Sequence, residues 1–373
     1  MITYGIKTQR GFTLIELMIG LALGLIASLA IFSTISNFET QRRATGSGAD
    51  MQQSGLFSLY SIEQDVRLAG FGLIDASTKS LPCTRLQPNN LDIAPVTITD
   101  GGTGTDTIAL HRLDSNIGGM VTGSQAAMLT SALPATDINT INVDTPIAIN
   151  PNDYLLVPGL NAGTSYDCLL FHVPAAGLQT SQYPPLAPIP ATGPTASIID
   201  LGNSAPAFIE QSYSISAAFD LVQSSSQLDS SNTASPVWGA ATANPLASNI
   251  VNLQAQYGVA DPGNPSGGLC WTDATGTSAC PVTVTATTAV TPGADWSAPP
   301  ALDIKRIQAI RVAVVARSAE TVSSCTATTA PVSYATLMAK SPVGVDNWGW
   351  GGCYRYKIYQ TIIPIRNVIW GNL

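Results

Sequence analysis

Residues 12–35 form an apolar run carrying a single charge, Glu16, and follow a short polar leader that holds Lys7 and Arg10. At about 1.5 Å rise per residue the run makes a helix of about 36 Å, enough to cross a hydrocarbon core of about 30 Å. The basic leader then stays on the cytoplasmic side, and everything after Ile35 faces outward. A secretory signal cut near Ala30 has a similar outline. Glu16 argues against it, because an acid this far into an apolar helix costs about 3 kcal/mol of insertion free energy and is kept where it has a task.

The remaining composition narrows the function classes. Only 11% of the 373 residues are charged, against about 25% in ordinary globular chains. The 32 glycines and 25 prolines call for many turns. The formal net charge is −8, and no Lys or Arg occurs between Arg112 and Lys305 while 13 Asp and Glu do. A nucleic-acid groove needs basic side chains to displace counterions, so no nucleic-acid partner is expected for that block. The chain shows no GxSxG elbow, HExxH, phosphate loop or dinucleotide fingerprint, and the expectation is a non-enzyme without a cofactor. His111 and His172 read as satisfied strand residues, and the Gly101 to Gly104 region of GGTGTDT reads as a hairpin turn. No zinc-like cysteine spacing exists, and no metal is expected.

Along the chain, residues 37–50 are polar, with Gly46 and Gly48 as a soft spot. Helical spacing then resumes at Leu56, Leu59, Ile62, Val66 and Ala69, and Gly70 and Gly72 supply a stop. One helix from about Phe12 to about Ala69 is the economical reading, with its second half packed on a head domain. Beyond Leu73 short β-type runs alternate with turn clusters. Strands are expected at 106–112, 153–157, 168–173, 208–222, 250–257, 307–317 and 354–365. In the last of these Tyr354, Tyr356 and Ile358 share one face, Arg355, Lys357 and Tyr359 the other, and Pro364 marks an edge or strand end. Residues 174–206, 223–249 and 281–300 read as long loops.

Six cysteines, Cys83, Cys168, Cys270, Cys280, Cys325 and Cys353, lie on the outward side. An even count in an exported domain reads as disulfides, for which six cysteines allow 15 connectivities. Sequence proximity favours Cys270 with Cys280 and Cys325 with Cys353, leaving Cys83 with Cys168. The Trp348–Trp350 cluster beside Cys353, and Trp271 beside Cys270, read as core plugs rather than binding platforms.

Gly11-Phe12-Thr13-Leu14-Ile15-Glu16 resembles the class III signal of type IV pilins. The resemblance implies cleavage by the prepilin peptidase between Gly11 and Phe12, methylation of the new terminal Phe12, and a Glu16 carboxylate that pairs with the terminal amine of a neighbouring subunit. The chain departs from the major-subunit pattern in having Ser33 and no proline in the membrane run. DVRLAGFGL, IVNLQAQYGV, IQAIRVAVVARS and YRYKIYQTIIPIRN are similar to landmarks of the PilW family of minor pilins. That resemblance implies an α+β, type IV pilin-like fold: a leader at 1–11, a transmembrane half-helix at 12–36, an amphipathic half at 37–72 and a β-rich head with antiparallel sheets at 73–373. It implies a bacterial inner-membrane protein with a periplasmic head that passes into the extracellular pilus tip. The implied partners are other minor pilins, the major pilin, the pilus assembly platform and a tip adhesin. The alternatives are a tip adhesin subunit and a J-type pseudopilin of a type II secretion system.

Overall fold

The computed structural model describes residues 11–73, 85–86, 89, 91–102, 104–113, 127–128, 150–161, 165–173, 197–202, 208–229, 236–261, 268–275, 280, 282–283, 290–291, 296, 301–304, 306–321 and 354–371. Its first element is α1, Leu14–Leu68, 55 residues long. The expected helix is thus present within two residues at the start and one at the end. Its N-terminus is closed by a capping box: Glu16 N–H donates to Thr13 Oγ1, and the Glu16 side chain accepts from the Thr13 backbone N–H. Such reciprocal bonds satisfy two otherwise orphaned donors. Beyond Leu68 the chain turns through Gly70 and Gly72, both with positive φ, where glycine carries no Cβ penalty.

The head contains β1 (Arg85–Leu86), β2 (Leu91–Asp92), β3 (Val96–Thr99), β4 (Thr107–Leu113), β5 (Ala127–Met128), β6 (Tyr154–Asn161), β7 (Ser165–His172), β8 (Ser197–Gly202) and β9 (Phe208–Ile215). There follow β10 (Asp220–Asp229), β11 (Val237–Trp238), β12 (Thr242–Ser248), β13 (Ile250–Val259), β14 (Cys270–Thr272), β15 (Val282–Thr283) and β16 (Val290–Thr291). The chain closes with α2 (Ala301–Ile304), β17 (Ile307–Arg317), β18 (Tyr356–Pro364) and α3 (Arg366–Gly371).

Among the described residues the strands form three main sheets. One has the order β2-β1-β7-β6-β8-β5, the second β11-β10-β9-β4-β3 with β12 also on β10, and the third β14-β13-β17-β18. Strands β15 and β16 pair with each other. Pairing is antiparallel throughout except for β1 with β7, a short parallel contact that the antiparallel expectation did not include.

The third sheet receives α1. Leu59, Ile62, Val66 and Ala69 of the helix side share one core with Leu253 and Tyr257 of β13, Val312 and Val314 of β17, and Tyr359 and Ile363 of β18. Burial of such apolar faces, at about 25 cal/mol per Å², is what holds a helix on a sheet. Leu56, expected on this face, instead points to solvent. The position that meets the sheet is Gly55, where an added Cβ would lie 2.2 Å from Tyr359 Cε2. The second sheet is tied to the helix by a polar cluster: Asp65 Oδ2 accepts from Tyr213 Oη at 2.6 Å and from Gln223 Nε2 at 2.9 Å. A second core, including Leu86, Leu113, Leu156, Leu170 and Phe208, lies between the first two sheets.

Several expectations need correction. The expected strand 208–222 is two strands, β9 and β10, joined by a turn at Ser216 to Phe219. Ser216 Oγ accepts from the Ala218 and Asp220 N–H groups, and Phe219 takes a positive φ, so a serine and not a Gly or Pro makes the reversal. The expected loop 223–249 holds most of β10, all of β11 and β12. Its serines and threonines line a half-exposed sheet edge, where backbone pairing rather than apolar burial holds the strands. The loop 174–206 contains β8, and 281–300 contains β15, β16 and the fully buried Trp296, with the rest of both outside the described residues.

Candidate assembly surface

Among the described residues nothing in the head covers the first part of α1. Gly11 has open space around its Cα, Phe12 is 90% exposed, and the first helix residue buried against the head is Ser47. Leu14, Ile15, Leu17, Met18, Leu21, Leu25, Leu29 and Phe32 are all exposed apolar side chains. The helix is long and apolar enough to cross a membrane. Glu16, the charge in this run, bonds within its own turn: Oε2 lies 3.0 Å from the Thr13 nitrogen and 2.9 Å from Thr13 Oγ1. Both bonds use the same oxygen. The carboxylate is therefore held at the start of the helix, where the N-terminal end of the backbone dipole favours negative charge. The Thr-x-x-Glu spacing is a capping signature that the reading of Glu16 as a pairing residue passed over.

Above the membrane-length part, α1 has two apolar faces. Met51, Gly55, Leu59, Ile62 and Val66 face the sheet, whereas Phe38, Leu56, Phe57, Tyr60 and Leu68 lie exposed. With 3.6 residues per turn, Phe38 and Leu56 project in the same direction, and Tyr60 about 40° from them. This stripe lies about 110° around the helix from the sheet-facing residues. Beside it runs a groove of about 420 Å³ between α1 and the β12–β13 turn, lined by Asp50, Met51, Phe57, Leu246, Asn249 and Arg317. The Arg317 guanidinium lies over the Phe219 and Tyr354 rings, 4.3 and 4.8 Å from their centroids. The stripe and the groove were missed in the sequence because an outward apolar residue in an amphipathic helix reads as a core residue one turn out of place.

The cysteine pair Cys270 and Cys280 is bridged, with Cα atoms 5.7 Å apart. It brackets Trp271, whose ring lies over Gly258: a Cβ there would sit 2.8 Å from it. The Arg311 guanidinium also lies over that ring, 4.9 Å from its centroid, and bonds Gln256 Oε1. Burial lowers the Arg311 pKa, with the Asp273 charge opposing. Cys168 is also disulfide-bonded. Cys83, Cys325 and Cys353, with Trp348 and Trp350, lie outside the described residues.

The histidines serve the architecture. His111 is fully buried, stacked against Phe208 and Trp238, with Nδ1 2.5 Å from the Ala94 carbonyl and Nε2 3.1 Å from Glu210 Oε2. His172 packs on the Tyr154 ring. The turn before β4 is a hairpin, closed by Gly104 N–H to the Gly101 carbonyl and by the buried Asp106 carboxylate, which accepts from Gly101 and Ala255 N–H groups. Among the described residues no group of three or more His, Cys, Asp or Glu is placed to hold a metal ion.

Comparison with known proteins gives two family matches. The family described as Type IV Pilus-assembly protein W matches residues 220–367, which run from β10 into α3 and include the sheet that receives α1. The prokaryotic N-terminal methylation motif matches residues 6–32, a span that contains Gly11, Phe12 and Glu16. No curated protein matches the chain. Among solved structures, a type IV-like pilin from Thermus thermophilus aligns over 86% of this chain and 97% of its own, at 8% identity and a TM-score of 0.32. With the methylation motif on the exposed helix and the W-type match on the sheet beneath it, the chain is type IV pilin-like and carries a PilW domain at residues 220–367.

Proposed function

We propose that this membrane-anchored pilin joins other minor pilins in a complex that primes pilus assembly and remains at the pilus tip. The observation that carries this reading is the second apolar face of α1. A helix that only tethered a head to the bilayer would need apolar side chains over about 20 residues. Here further exposed apolar side chains, Phe38 and then Leu56, Tyr60 and Leu68, stand beyond the anchor, where water would otherwise meet them. Association with neighbouring α1 helices removes that area from water and supplies the lateral contacts of a subunit complex.

Glu16 sets the register. The prepilin peptidase cuts between Gly11 and Phe12, which leaves the Thr13 amide and hydroxyl in place, so the capping box survives processing. Thr13 keeps the carboxylate fixed through Oε2, and Oε1 faces a neighbouring subunit's terminal amine. Two charges buried singly in lipid are costly, and pairing them offsets part of that cost while favouring one axial position. The major pilin and the assembly platform follow as partners of the primed complex, and the mechanism is packing, with no catalytic step. Deletion of the chain tests this by counting surface pili. Priming predicts few pili, restored when retraction is also blocked; normal pilus numbers in the deletion would overturn it.

A further inference from the structure

Four helical glycines of α1, Gly20, Gly24, Gly46 and Gly48, have nothing within 4 Å of an added Cβ, in contrast to Gly55 against Tyr359. Gly20 and Gly24 are one turn apart and share a face, as a close helix contact requires. Gly46 and Gly48 are two residues apart and project about 200° from each other. No single partner helix can use both. Neither has a positive φ or a close neighbour to explain it. What they have in common is a direction-independent effect, weakening of the helix itself.

Their surroundings add to that effect. Residues 45–50 read Thr-Gly-Ser-Gly-Ala-Asp, and of these only alanine is a strong helix former. Thr45 Oγ1 donates back to the Gln41 carbonyl at 2.9 Å, a bond that bends helices. The position coincides with a mechanical boundary. Ser47 is the first helix residue buried against the head, and its Oγ accepts the Glu320 N–H at 3.2 Å. Among the described residues no helix residue before it is buried; after it Met51, Gly55 and Leu59 are packed.

We propose that residues 45–49 are a hinge at which the head tilts relative to the membrane anchor. The weak segment lies at the edge of the docked part, where Ser47 is the one buried residue and its bond to Glu320 can mark the pivot, and sharp helix bends fall at Gly/Ser pairs. A tilt there lets one head meet neighbours while its anchor stays upright in the bilayer, and lets the anchor reorient as it leaves the bilayer without undocking α1 from its sheet.

The test uses the full chain in nanodiscs, with spin labels introduced by noncanonical residues at Ser36 and Ala217, one on each side of the segment. The wild type gives a broad distance distribution, Gly46→Ala/Gly48→Ala narrows it, and each single variant supplies part of the narrowing. Gly20→Ala/Gly24→Ala leaves it unchanged. Amide exchange at residues 45–49 slows in the double variant by about 30-fold, about fivefold for each glycine replaced. A wild-type distribution as narrow as the double variant's, unchanged exchange, or narrowing from only one of the two glycines would each overturn the hinge.

Discussion

Replacing Gly55 by valine separates a helix that merely lies near the sheet from one fitted to it. The new Cβ would stand 2.2 Å from Tyr359 Cε2 and 2.3 Å from Cδ2, far inside van der Waals contact. The ring cannot swing freely, since Tyr359 is only 8% exposed and shares the core with Leu59 and Ile62. Forcing extra atoms into a packed contact costs about 1–3 kcal/mol. The gain in helix propensity on leaving glycine for valine is a few tenths of a kcal/mol, too small to cancel it. The expected net loss is about 1–3 kcal/mol. Urea unfolding of the full chain in detergent, followed by tryptophan fluorescence, measures it. Gly48→Val, with the same chemistry in open space, changes stability by less than about 0.5 kcal/mol. Adding Tyr359→Leu to Gly55→Val recovers part of the loss. Equal stability of the Gly55 and Gly48 variants would refute the close docking of α1 on β18.

Three further perturbations bear on the head and its union with the stalk. Asp65→Ala removes the acceptor of Tyr213 and Gln223 and costs about 1–3 kcal/mol in the same unfolding assay. Cys270→Ala/Cys280→Ala, which opens the bridge across a ten-residue separation, lowers stability by about 2–3 kcal/mol and shifts Trp271 emission as the ring leaves Gly258. Burial raises the Tyr213 and Tyr257 pKa values above the usual phenol value, so above about pH 10 the unfolded chain loses protons that the folded chain keeps. Stability then falls with rising pH across that range, and Tyr213→Phe or Tyr257→Phe flattens the fall in urea midpoints compared at pH 9 and pH 11.

Much of the stalk was legible because its signals are local. The apolar run, the 3.6-residue spacing of Leu59, Ile62 and Val66, and the Gly70 stop bound α1 to within two residues. The β17 bounds and the edge position of β18 with Pro364 followed from alternation and from proline's missing donor. Cys270 with Cys280 followed from proximity. Less was legible where tertiary context decides. Leu56 turns outward and Gly55 meets the sheet because sheet and helix approach too closely there for a side chain, and spacing does not report interaxial distance. The strand β12 lay hidden in Ser, Thr, Ala and Pro because an edge strand is held by backbone bonds to β10 and needs no apolar alternation. The polar tie from Asp65 to Tyr213 joins residues 148 apart in the chain, and neither residue type announces the other.

The most direct measurement of the assembly role is the number of surface pili in cells whose chromosomal copy carries Glu16→Val. Valine preserves the apolar length of the anchor and removes the carboxylate held by Thr13. The account predicts normal cleavage at Gly11 and normal membrane insertion, both scored on immunoblots of membrane fractions, together with a loss of pili approaching that of the deletion. Wild-type pilus numbers from a processed, membrane-inserted Glu16→Val protein would contradict it.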